Sequence, residues 1–379
     1  MSVSRTSILR NLSSIPGWTS GRKIVVLESD DWGSLGTPSV PVYQALLSKG
    51  VYREDEAAHY YRYDTLESNG DMEGLFEVLG SVTDAVGRHP VFTGYCVVAN
   101  PDFEAIEEDG FRNYHYQPLH RILEGDATRD RVLELWREGV NRRLFIPQFH
   151  GREHLNVAAW TGALQRGAPL TMEAFRHGVF GIDPVATGEC RVQYRAAFDL
   201  EDGSEIPLQE EVIRDGTRLF RSMMGYAPSV FIPPNGPLNL LLEKTLLKGG
   251  IRYLVLDKLQ REPLGHGRTR TRIRFPGRKN KLGQYYLSRN ASFEPSSGDT
   301  DWVGSCLTQV ETAFRWKKPA TISTHRVNYT GAIDPGNRSR GLATLKKLLE
   351  SIMKRWPDTE FLSTGELGDL ISGYRLTDT

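Results

Sequence analysis

Residues 24–36, "IVVLESDDWGSLG", place four apolar residues directly before a cluster of acidic ones. An unbroken apolar run of this kind predicts a β-strand buried on both faces, as in a parallel sheet covered by helices. The run leads into Asp30 and Asp31, two adjacent carboxylates that repel each other. Such a pair at the end of a buried strand indicates that a positively charged group lies beside it.

Working outward, short β-branched and aromatic runs alternate with helical patterns along all 379 residues, and this alternation predicts an α/β protein with parallel strands covered by helices. The number of units favours a closed or nearly closed (β/α) barrel of about seven to eight parallel strands over an open sheet. We expect a single domain over residues 1–379, with insertions near 37–120 and 258–283. The expected strands are 23–29, 91–99, 143–149, 191–198, 229–233, 252–257, 284–289, 320–324 and 360–364.

The composition argues against several classes of protein. Lys plus Arg equals Asp plus Glu at 47 each, so the net charge gives no indication of nucleic-acid binding. No stretch approaches the length of a membrane span, and the N-terminus lacks the apolar core of a secretory signal, so we expect a cytoplasmic protein. Cys96, Cys190 and Cys306 are widely separated, which makes a disulfide framework or a zinc-cysteine site unexpected.

An arginine-rich stretch spans residues 268–281, and its first four arginines fall at every second position: Arg268, Arg270, Arg272 and Arg274. On a strand they would share one face. One interpretation is a solvated hairpin edge protected by charge. The alternative is a clamp for an anionic ligand, and the sequence leaves its role open.

The segment "IPQFHGREHLN", residues 146–156, holds His150 and His154 four positions apart as the chain leaves a predicted strand. In a helical turn this spacing places both imidazoles on one face. Imidazole is the commonest side-chain metal ligand, and two of them with a carboxylate leave positions open on a bound ion. The spacing alone is weak evidence, because nine histidines make an accidental pair plausible.

Polar residues also follow several other predicted strands. Asp30 and Asp31 follow the first strand, "PPNG" (233–236) follows another, and His325 follows "ATIST". The functional face of a β/α barrel lies at the C-terminal ends of its strands, so these residues would converge with His150 and His154. The alternative is that they are unrelated loop residues, with a salt-bridged aspartate pair and hydrogen-bonded histidines.

Together, "SDDWG", "HGREH" and the late "STHR" resemble the motifs of the polysaccharide deacetylase family of metal-dependent carbohydrate esterases. The resemblance implies that the barrel is a distorted (β/α) barrel that holds one divalent ion, with Zn²⁺ expected and Co²⁺, Ni²⁺ or Mn²⁺ as alternatives. It implies that Asp30 is the general base and His325 the general acid. By the same resemblance Asp31, His150 and His154 are the metal ligands.

Two of the chain's departures from the family pattern affect residues of the expected site. Trp32 stands where the family has a glycine after the aspartate pair, and "FIPPNG" lacks the arginine that holds the base. Arg326 and Arg152 are the candidates to replace that arginine. Trp32, Asn235 and Arg326 are the expected substrate-binding residues, and other aromatic side chains suited to stacking on sugars are Tyr60, Tyr61, Tyr63 and Trp160.

The leading hypothesis is therefore a hydrolase that removes an N- or O-linked acetyl group from an oligo- or polysaccharide. A glycoside hydrolase is an alternative, because paired carboxylates can cleave glycosidic bonds, but adjacent aspartates suit that chemistry poorly and the histidine pair would have no role. A non-catalytic glycan-binding protein is the other alternative. The sequence leaves the sugar, the linkage and the oligomeric state open.

Overall fold

The computed structural model describes residues 16–54 and 58–374. Its strands are β1 (Lys23–Trp32), β2 (Phe92–Val97), β3 (Ala99–Pro101), β4 (Tyr116–Pro118), β5 (Phe145–Gly151), β6 (Val230–Phe231), β7 (Tyr253–Val255), β8 (Leu259–Pro263), β9 (Thr269–Ile273), β10 (Tyr285–Leu287), β11 (Ala291–Ser292), β12 (Ala320–His325) and β13 (Thr359–Phe361). Its α-helices are α1 (Val40–Ser48), α2 (Ala58–Tyr63), α3 (Asn69–Gly80), α4 (Phe103–Glu108), α5 (Leu119–Leu123), α6 (Val132–Asn141), α7 (Val157–Gln165), α8 (Pro169–Arg176), α9 (Pro184–Thr187), α10 (Ile206–Met224), α11 (Glu243–Lys248), α12 (Trp302–Arg315), α13 (Pro335–Arg355) and α14 (Thr364–Ser372). Short 3₁₀ turns occur at Gly203–Glu205, Leu240–Leu242 and Arg326–Tyr329.

Nine strands form one parallel sheet at the centre of the molecule. Eight of them follow the order β10-β7-β6-β5-β2-β1-β12-β11, and β13 pairs with the start of β1. The sheet curls into a distorted (β/α) barrel with helices around it, which confirms the predicted fold class. The pairs β3–β4 and β8–β9 form two small antiparallel sheets outside this barrel.

The two edges of the main sheet are joined by only three residues, Ser288, Arg289 and Asn290, which we call the closing segment. Asn290 joins the closing segment to β12, because it both donates a hydrogen bond to Thr321 and accepts one from it. Its backbone N–H donates to the Thr321 carbonyl at 3.1 Å, and its side-chain oxygen accepts from the Thr321 N–H at 2.9 Å. The side-chain amide of Asn290 also donates to the Pro319 carbonyl at 2.8 Å. The closing segment therefore connects β10 to β11 where the barrel would otherwise be open.

Strand β1 is buried on both faces, as its apolar run predicts. Val25 and Leu27 belong to the large core cluster, whereas Ile24 and Val26 pack with residues such as Leu367 of α14. This alternation follows from the two-residue repeat of a strand. Because apolar groups cover both faces, the polar end of β1 is held rigidly at the C-terminal edge of the sheet.

Helix boundaries follow local capping signals. At the start of α3, the Ser68 hydroxyl accepts from the Asp71 N–H, and the Asp71 carboxylate accepts from the Ser68 N–H. Helix α10 ends at Gly225, whose φ of 81° is readily adopted by glycine. Within the described ranges, no helix is long and apolar enough to cross a membrane.

The predicted strand 191–198 is wrong, since these residues form turns. The Asn156 backbone N–H donates to the Tyr194 carbonyl at 2.6 Å, and its side-chain amide donates to the Ala196 carbonyl at 3.2 Å. Alternating apolar residues here fill two different core clusters: Val192 and Tyr194 pack in one, Ala197 and Phe198 in the other. The alternation of apolar and polar residues that suggested a strand therefore arises because turns direct these side chains into two separate core clusters.

The expected insertions also need correction. Residues 37–120 contain β2, which is a strand of the main sheet, so only the segments on either side of it are additions to the barrel. Residues 258–283 do contain the hairpin β8–β9. In it Arg272 donates to Glu262 at 2.7 Å and Arg270 is exposed, which favours the hairpin-edge interpretation of the arginine-rich stretch.

Candidate active site

A cavity of about 500 Å³ lies at the C-terminal ends of the barrel strands. Its floor consists of charged or titratable side chains that follow β1, β5, β10 and β12. Its walls come from α2, from the coil around Arg195 and from the loops after β6 and β7. The lining residues are Asp30, Asp31, Tyr60, Tyr61, His150, His154, Ile182, Asp183, Gln193, Arg195, Ile232, Pro233, Asn235, Gly236, Val255, Leu256, Asp257, Arg289 and His325.

Asp31, His150 and His154 form a compact buried group on this floor. The Asp31 Oδ1 atom lies 2.9 Å from His154 Nε2 and 3.6 Å from His150 Nε2. One ligand atom from each residue can be chosen so that all lie within 4.8 Å of one another. The three side chains are buried, so the group is shielded from bulk water.

The hydrogen bonds of the two imidazoles suit metal coordination. His150 Nδ1 lies 2.9 Å from the Ile232 carbonyl oxygen, so this nitrogen carries the proton and donates it. Its Nε2 atom then has a lone pair, and within the described ranges this buried atom has no hydrogen-bond partner. Burial lowers the pKa of His154 to about 4, although Asp31 opposes the shift, so that ring is neutral at pH 7. An acceptor nitrogen without a partner, a neutral imidazole and a carboxylate are a donor set that fits a divalent ion.

The backbone conformation at Asp31 directs the side chains of Asp30 and Asp31 to different partners. Asp31 has a φ of 77°, in the left-handed region, and the pairing of β1 with β2 shifts register between Ser29 and Trp32. The following Gly33 has a φ of 79°, and a Cβ atom there would lie 2.6 Å from the Val97 carbonyl oxygen. This bulge directs Asp31 toward the histidines and leaves Asp30 with other partners.

Asp30 is held by Arg289 of the closing segment. Both terminal nitrogens of the guanidinium donate to the carboxylate, Nη1 to Oδ2 at 2.8 Å and Nη2 to Oδ1. The Nε–H of Arg289 donates to Glu28 Oε2 at 2.7 Å. Burial alone would raise the pKa of Asp30, but the adjacent guanidinium outweighs it and holds the pKa below its usual value. Asp30 is therefore an oriented carboxylate that stays ionised at neutral pH.

His325 faces Asp30 across the floor, with its Nε2 atom 3.8 Å from Asp30 Oδ2. Its other nitrogen, Nδ1, donates to Glu294 Oε1 at 2.7 Å and lies 3.0 Å from the Tyr60 hydroxyl. Burial opposes the charged ring, but Glu294 and Asp30 outweigh burial and raise the pKa of His325 to about 9. The ring is therefore protonated at pH 7 and has a proton to give at Nε2.

A second set of ion pairs surrounds Asp31. Arg195 Nη2 donates to Asp31 Oδ2 at 3.3 Å and lies 3.8 Å from Asp64 Oδ2. Arg326 joins Asp64 to Glu67, with contacts of 3.0 Å and 2.9 Å. The two connected networks at the floor contain six carboxylates (Glu28, Asp30, Asp31, Asp64, Glu67 and Glu294) and four cations (Arg195, Arg289, His325 and Arg326). Burial raises the pKa of Asp64 and of Glu67, although Arg326 opposes both shifts.

The structure brings together the five principal residues expected from the sequence, Asp30, Asp31, His150, His154 and His325. Asn235 also lines the cavity, at a turn where its φ is 54°. So do two of the aromatic residues, Tyr60 and Tyr61. The other expected aromatic contacts are wrong for Trp32 and Trp160, which are buried in the core, and Tyr63 is also absent from the cavity lining.

Arg326 does not line the cavity, so the prediction that it contacts substrate is corrected as well. It is fully buried behind Asp31, where it pairs with Asp64 and Glu67. Arg152 pairs with Glu153 at 2.6 Å and with Asp215 at 3.2 Å. Neither arginine holds Asp30, because Arg289 does so.

Three important residues escaped the sequence reasoning: Arg289, Glu294 and Arg195. Arg289 is the last residue of the expected strand 284–289, so the same strand-end argument that selected His325 could have found it. Glu294 follows the two-residue strand β11, which is too short to recognise from periodicity. Arg195 lies in the segment that was expected to be a strand.

No protein-family model matches the chain, and no curated protein matches it. Solved structures of similar fold include a protein described as a polysaccharide deacetylase from Mycobacterium smegmatis, at 12% identity and a TM-score of 0.44 over 96% of this chain and 95% of that one. The PuuE allantoinase is similar at 12% identity and a TM-score of 0.48, over 96% and 95% of the two chains. The 4-alpha-glucanotransferase from Thermococcus litoralis matches at 11% identity and a TM-score of 0.44, and 91% of this chain covers 40% of that enzyme.

Proposed function

We propose that this protein is a metal-dependent hydrolase that removes an acetyl group, N-linked or O-linked, from a carbohydrate. The observation that carries the proposal is the arrangement at the cavity floor. An ionised Asp30 and a protonated His325, with 3.8 Å between Oδ2 and Nε2, share this floor with the Asp31, His150 and His154 group. A base, an acid and a metal-binding group in one cavity are the parts that metal-assisted deacetylation requires.

Asp31, His150 and His154 would hold the ion, with Zn²⁺ as the expected species. When bound, a divalent ion polarises the acetyl carbonyl and favours ionisation of a nearby water. Asp30 accepts a proton from the attacking water, while its pair with Arg289 keeps the carboxylate oriented. His325 donates its Nε2 proton to the leaving amine or alcohol, and Glu294 holds the opposite side of the ring. Cleavage of the acetyl bond then yields acetate and the deacetylated sugar.

The cavity walls are suited to a polar substrate. Tyr60 and Tyr61 provide aromatic surface, and Asn235 and Gln193 provide amide groups. Aromatic faces combined with planar polar side chains can bind the apolar faces and the hydroxyl groups of a sugar. This combination supports a carbohydrate as the substrate class.

The decisive experiment measures acetate release from a panel of N-acetylated and O-acetylated mono- and oligosaccharides. We expect release by the metal-loaded protein, loss on chelation, and recovery when a divalent ion is added back. His325→Gln should keep the bound metal yet lose activity by on the order of 10²–10⁴-fold, as expected for a positioned proton-transfer group. Acetate release that survives both chelation and this substitution would contradict the proposal, as would no release from any member of the panel.

A further inference from the structure

The charge around the cavity restricts the kind of sugar that can enter it. The floor networks contain six carboxylates and four cations, and each of these cations is already paired with carboxylates. Two more carboxylates, Asp183 and Asp257, line the same cavity nearer its walls. The cavity is lined by three cations, Arg195, Arg289 and His325, and each of them pairs with a carboxylate of the floor networks. None of these three cations forms an ion pair with Asp183 or Asp257.

The partners of these wall aspartates are neutral. Asp183 Oδ1 accepts from the Val185 and Ala186 N–H groups at 3.1 and 2.9 Å and from the Gln193 amide at 2.7 Å. Asp257 is exposed and has no hydrogen-bond or ion-pair partner among residues 16–54 and 58–374. A ligand that carried a carboxylate or phosphate would therefore be repelled by these two wall aspartates, whereas hydroxyl groups can donate to both of them.

Arg195 is the cation of the lining that retains most capacity to bind a ligand. Of its five N–H donors, only one on Nη2 makes a hydrogen bond within the described ranges, the 3.3 Å contact to Asp31. Its guanidinium lies 5.6 Å from the centre of the Tyr60 ring, which fixes its orientation. The side chain is 20% exposed, whereas its partner Asp31 is almost completely buried. A substrate oxygen close to the acetyl group can accept from these remaining donors.

From this arrangement, and resting on the function proposed above, we infer that the substrate is an uncharged acetylated sugar and that Arg195 is a specificity-determining residue that donates to its neutral oxygens. Asp183 and Asp257 contribute by accepting from hydroxyl groups and by repelling anionic sugars. The inference concerns which acetylated sugars bind, so it can fail while the deacetylase function stands.

The experiment compares two probes that share one ring and one acetyl group, N-acetylglucosamine and N-acetylglucosamine 6-phosphate. Binding is measured by calorimetry on the metal-loaded Asp30→Asn protein, so that no turnover is needed. We expect the neutral sugar to bind at least about tenfold more tightly. The Asp183→Asn, Asp257→Asn double substitution should reduce that preference. Equal or tighter binding of the phosphorylated sugar would overturn the inference, and binding of neither sugar would also count against it.

Arg195 is tested separately with Arg195→Met, Arg195→Lys and the exposed control Arg191→Met. Arg195→Met should weaken binding of the neutral sugar on the order of 10–100-fold, Arg195→Lys should restore part of the loss, and the control should bind as the parent does. Measuring the metal affinity of Arg195→Met shows whether Arg195 binds substrate or only supports the structure of the site. It should stay the same or rise in Arg195→Met, because the guanidinium no longer competes for Asp31, and a fall in metal affinity with unchanged sugar binding would contradict the assignment.

Measurements of acetate release distinguish failure of the charge inference from failure of the proposed deacetylase function. If the wild-type holoenzyme releases acetate from acetylated sugars but prefers anionic ones, the charge inference fails and the proposed function stands. If it releases acetate from no sugar, the proposed function fails, and the inference about charge falls with it.

Discussion

Asp30 and Asp31 are neighbours in the chain, but they have different partners because the backbone at Asp31 is left-handed. Asp31 faces the two imidazoles, whereas Asp30 is bound by Arg289. Simple alternation along a strand would also separate the two side chains, but here the bulge sets the direction of Asp31. The two carboxylates should therefore have separable roles.

We predict that Asp30→Asn retains metal and loses nearly all hydrolysis, since an amide cannot accept a proton at neutral pH. Asp31→Asn should weaken metal binding by about 10–100-fold or more, and excess metal should restore part of its rate. Metal titration and acetate release on both variants provide the measurements. If the two variants exchange these properties, the assignment of base and ligand is reversed.

His325 should make the stability of the metal-free protein depend on pH through its pair with Glu294. Because the folded pKa is raised from 6.5 to about 9, the stabilisation is fully present below about pH 6.5 and is lost as the pH rises through about 9. Glu294→Gln should remove this loss, which we expect to be on the order of 1–3 kcal/mol in the free energy of unfolding. Denaturant titrations at pH 6 and pH 9.5 measure it, and parallel pH curves for wild type and variant would contradict the prediction.

The site residues that sequence reasoning found share one property: each follows a recognisable strand or belongs to a spaced pair. His150 and His325 could be placed at one edge because the ends of parallel strands meet there. Trp32 was misplaced because residue type alone suggested sugar stacking, whereas its burial depends on packing against Phe145, which is distant in sequence. Arg289 was missed because an arginine was sought after β6 and not after β10.

At the scale of elements, the loop that links His150, at the end of β5, to His154 is anchored by its own residues. Arg152 pairs with Glu153 and with Asp215 of α10, and its guanidinium stacks 4.1 Å from the centre of the Tyr116 ring. The Arg152 carbonyl accepts from Val98 and Ala99 N–H groups at 3.0 and 2.8 Å. This loop is thus fixed to α10 and to the residues that directly follow β2 by contacts outside the cavity.

We predict that Arg152→Met lowers metal affinity although Arg152 touches neither the ion site nor the cavity, because it leaves Glu153 buried without a partner and loosens the loop. Metal titration should show a loss of roughly tenfold or more. The exposed Arg218, which also pairs with Asp215, supplies the matched control Arg218→Met, which should bind metal normally. Equal metal affinities in the two variants would show that the loop does not need this anchor.

Elements with long, regular patterns were predictable, and those defined by distant contacts were not. The periodic residues of α10 and α13 indicate helices from the sequence alone. Strands β6 and β11 have two residues each, so only their neighbours in the sheet define them. The apolar alternation at 191–198 was misleading because a hydrogen-bonded turn around Asn156 produces the same pattern.

At the scale of the whole molecule, the barrel depends on the closing segment. Asn290 makes side-chain hydrogen bonds to the Pro319 carbonyl and the Thr321 N–H, and both partners are at the start of β12. We predict that Asn290→Ala lowers the free energy of unfolding by about 1–3 kcal/mol, because it leaves partly buried backbone groups without partners. Denaturant titration measures the change. Ser297→Ala, in the loop after β11, is the control, since the structure gives its side chain no hydrogen bond within the described ranges, and equal losses in the two variants would contradict the prediction.

The position of Arg289 in the closing segment has a consequence for how activity develops during folding. The residue that orients Asp30, the proposed base, arrives only when the last gap in the barrel is bridged. An intermediate with most of its helices and strands formed would therefore still have Asp30 unoriented. Catalysis would then act as a reporter of completed assembly. In a refolding experiment, hydrolysis should return later than the circular dichroism signal of the helices, and a species that looks native by secondary structure could remain inert.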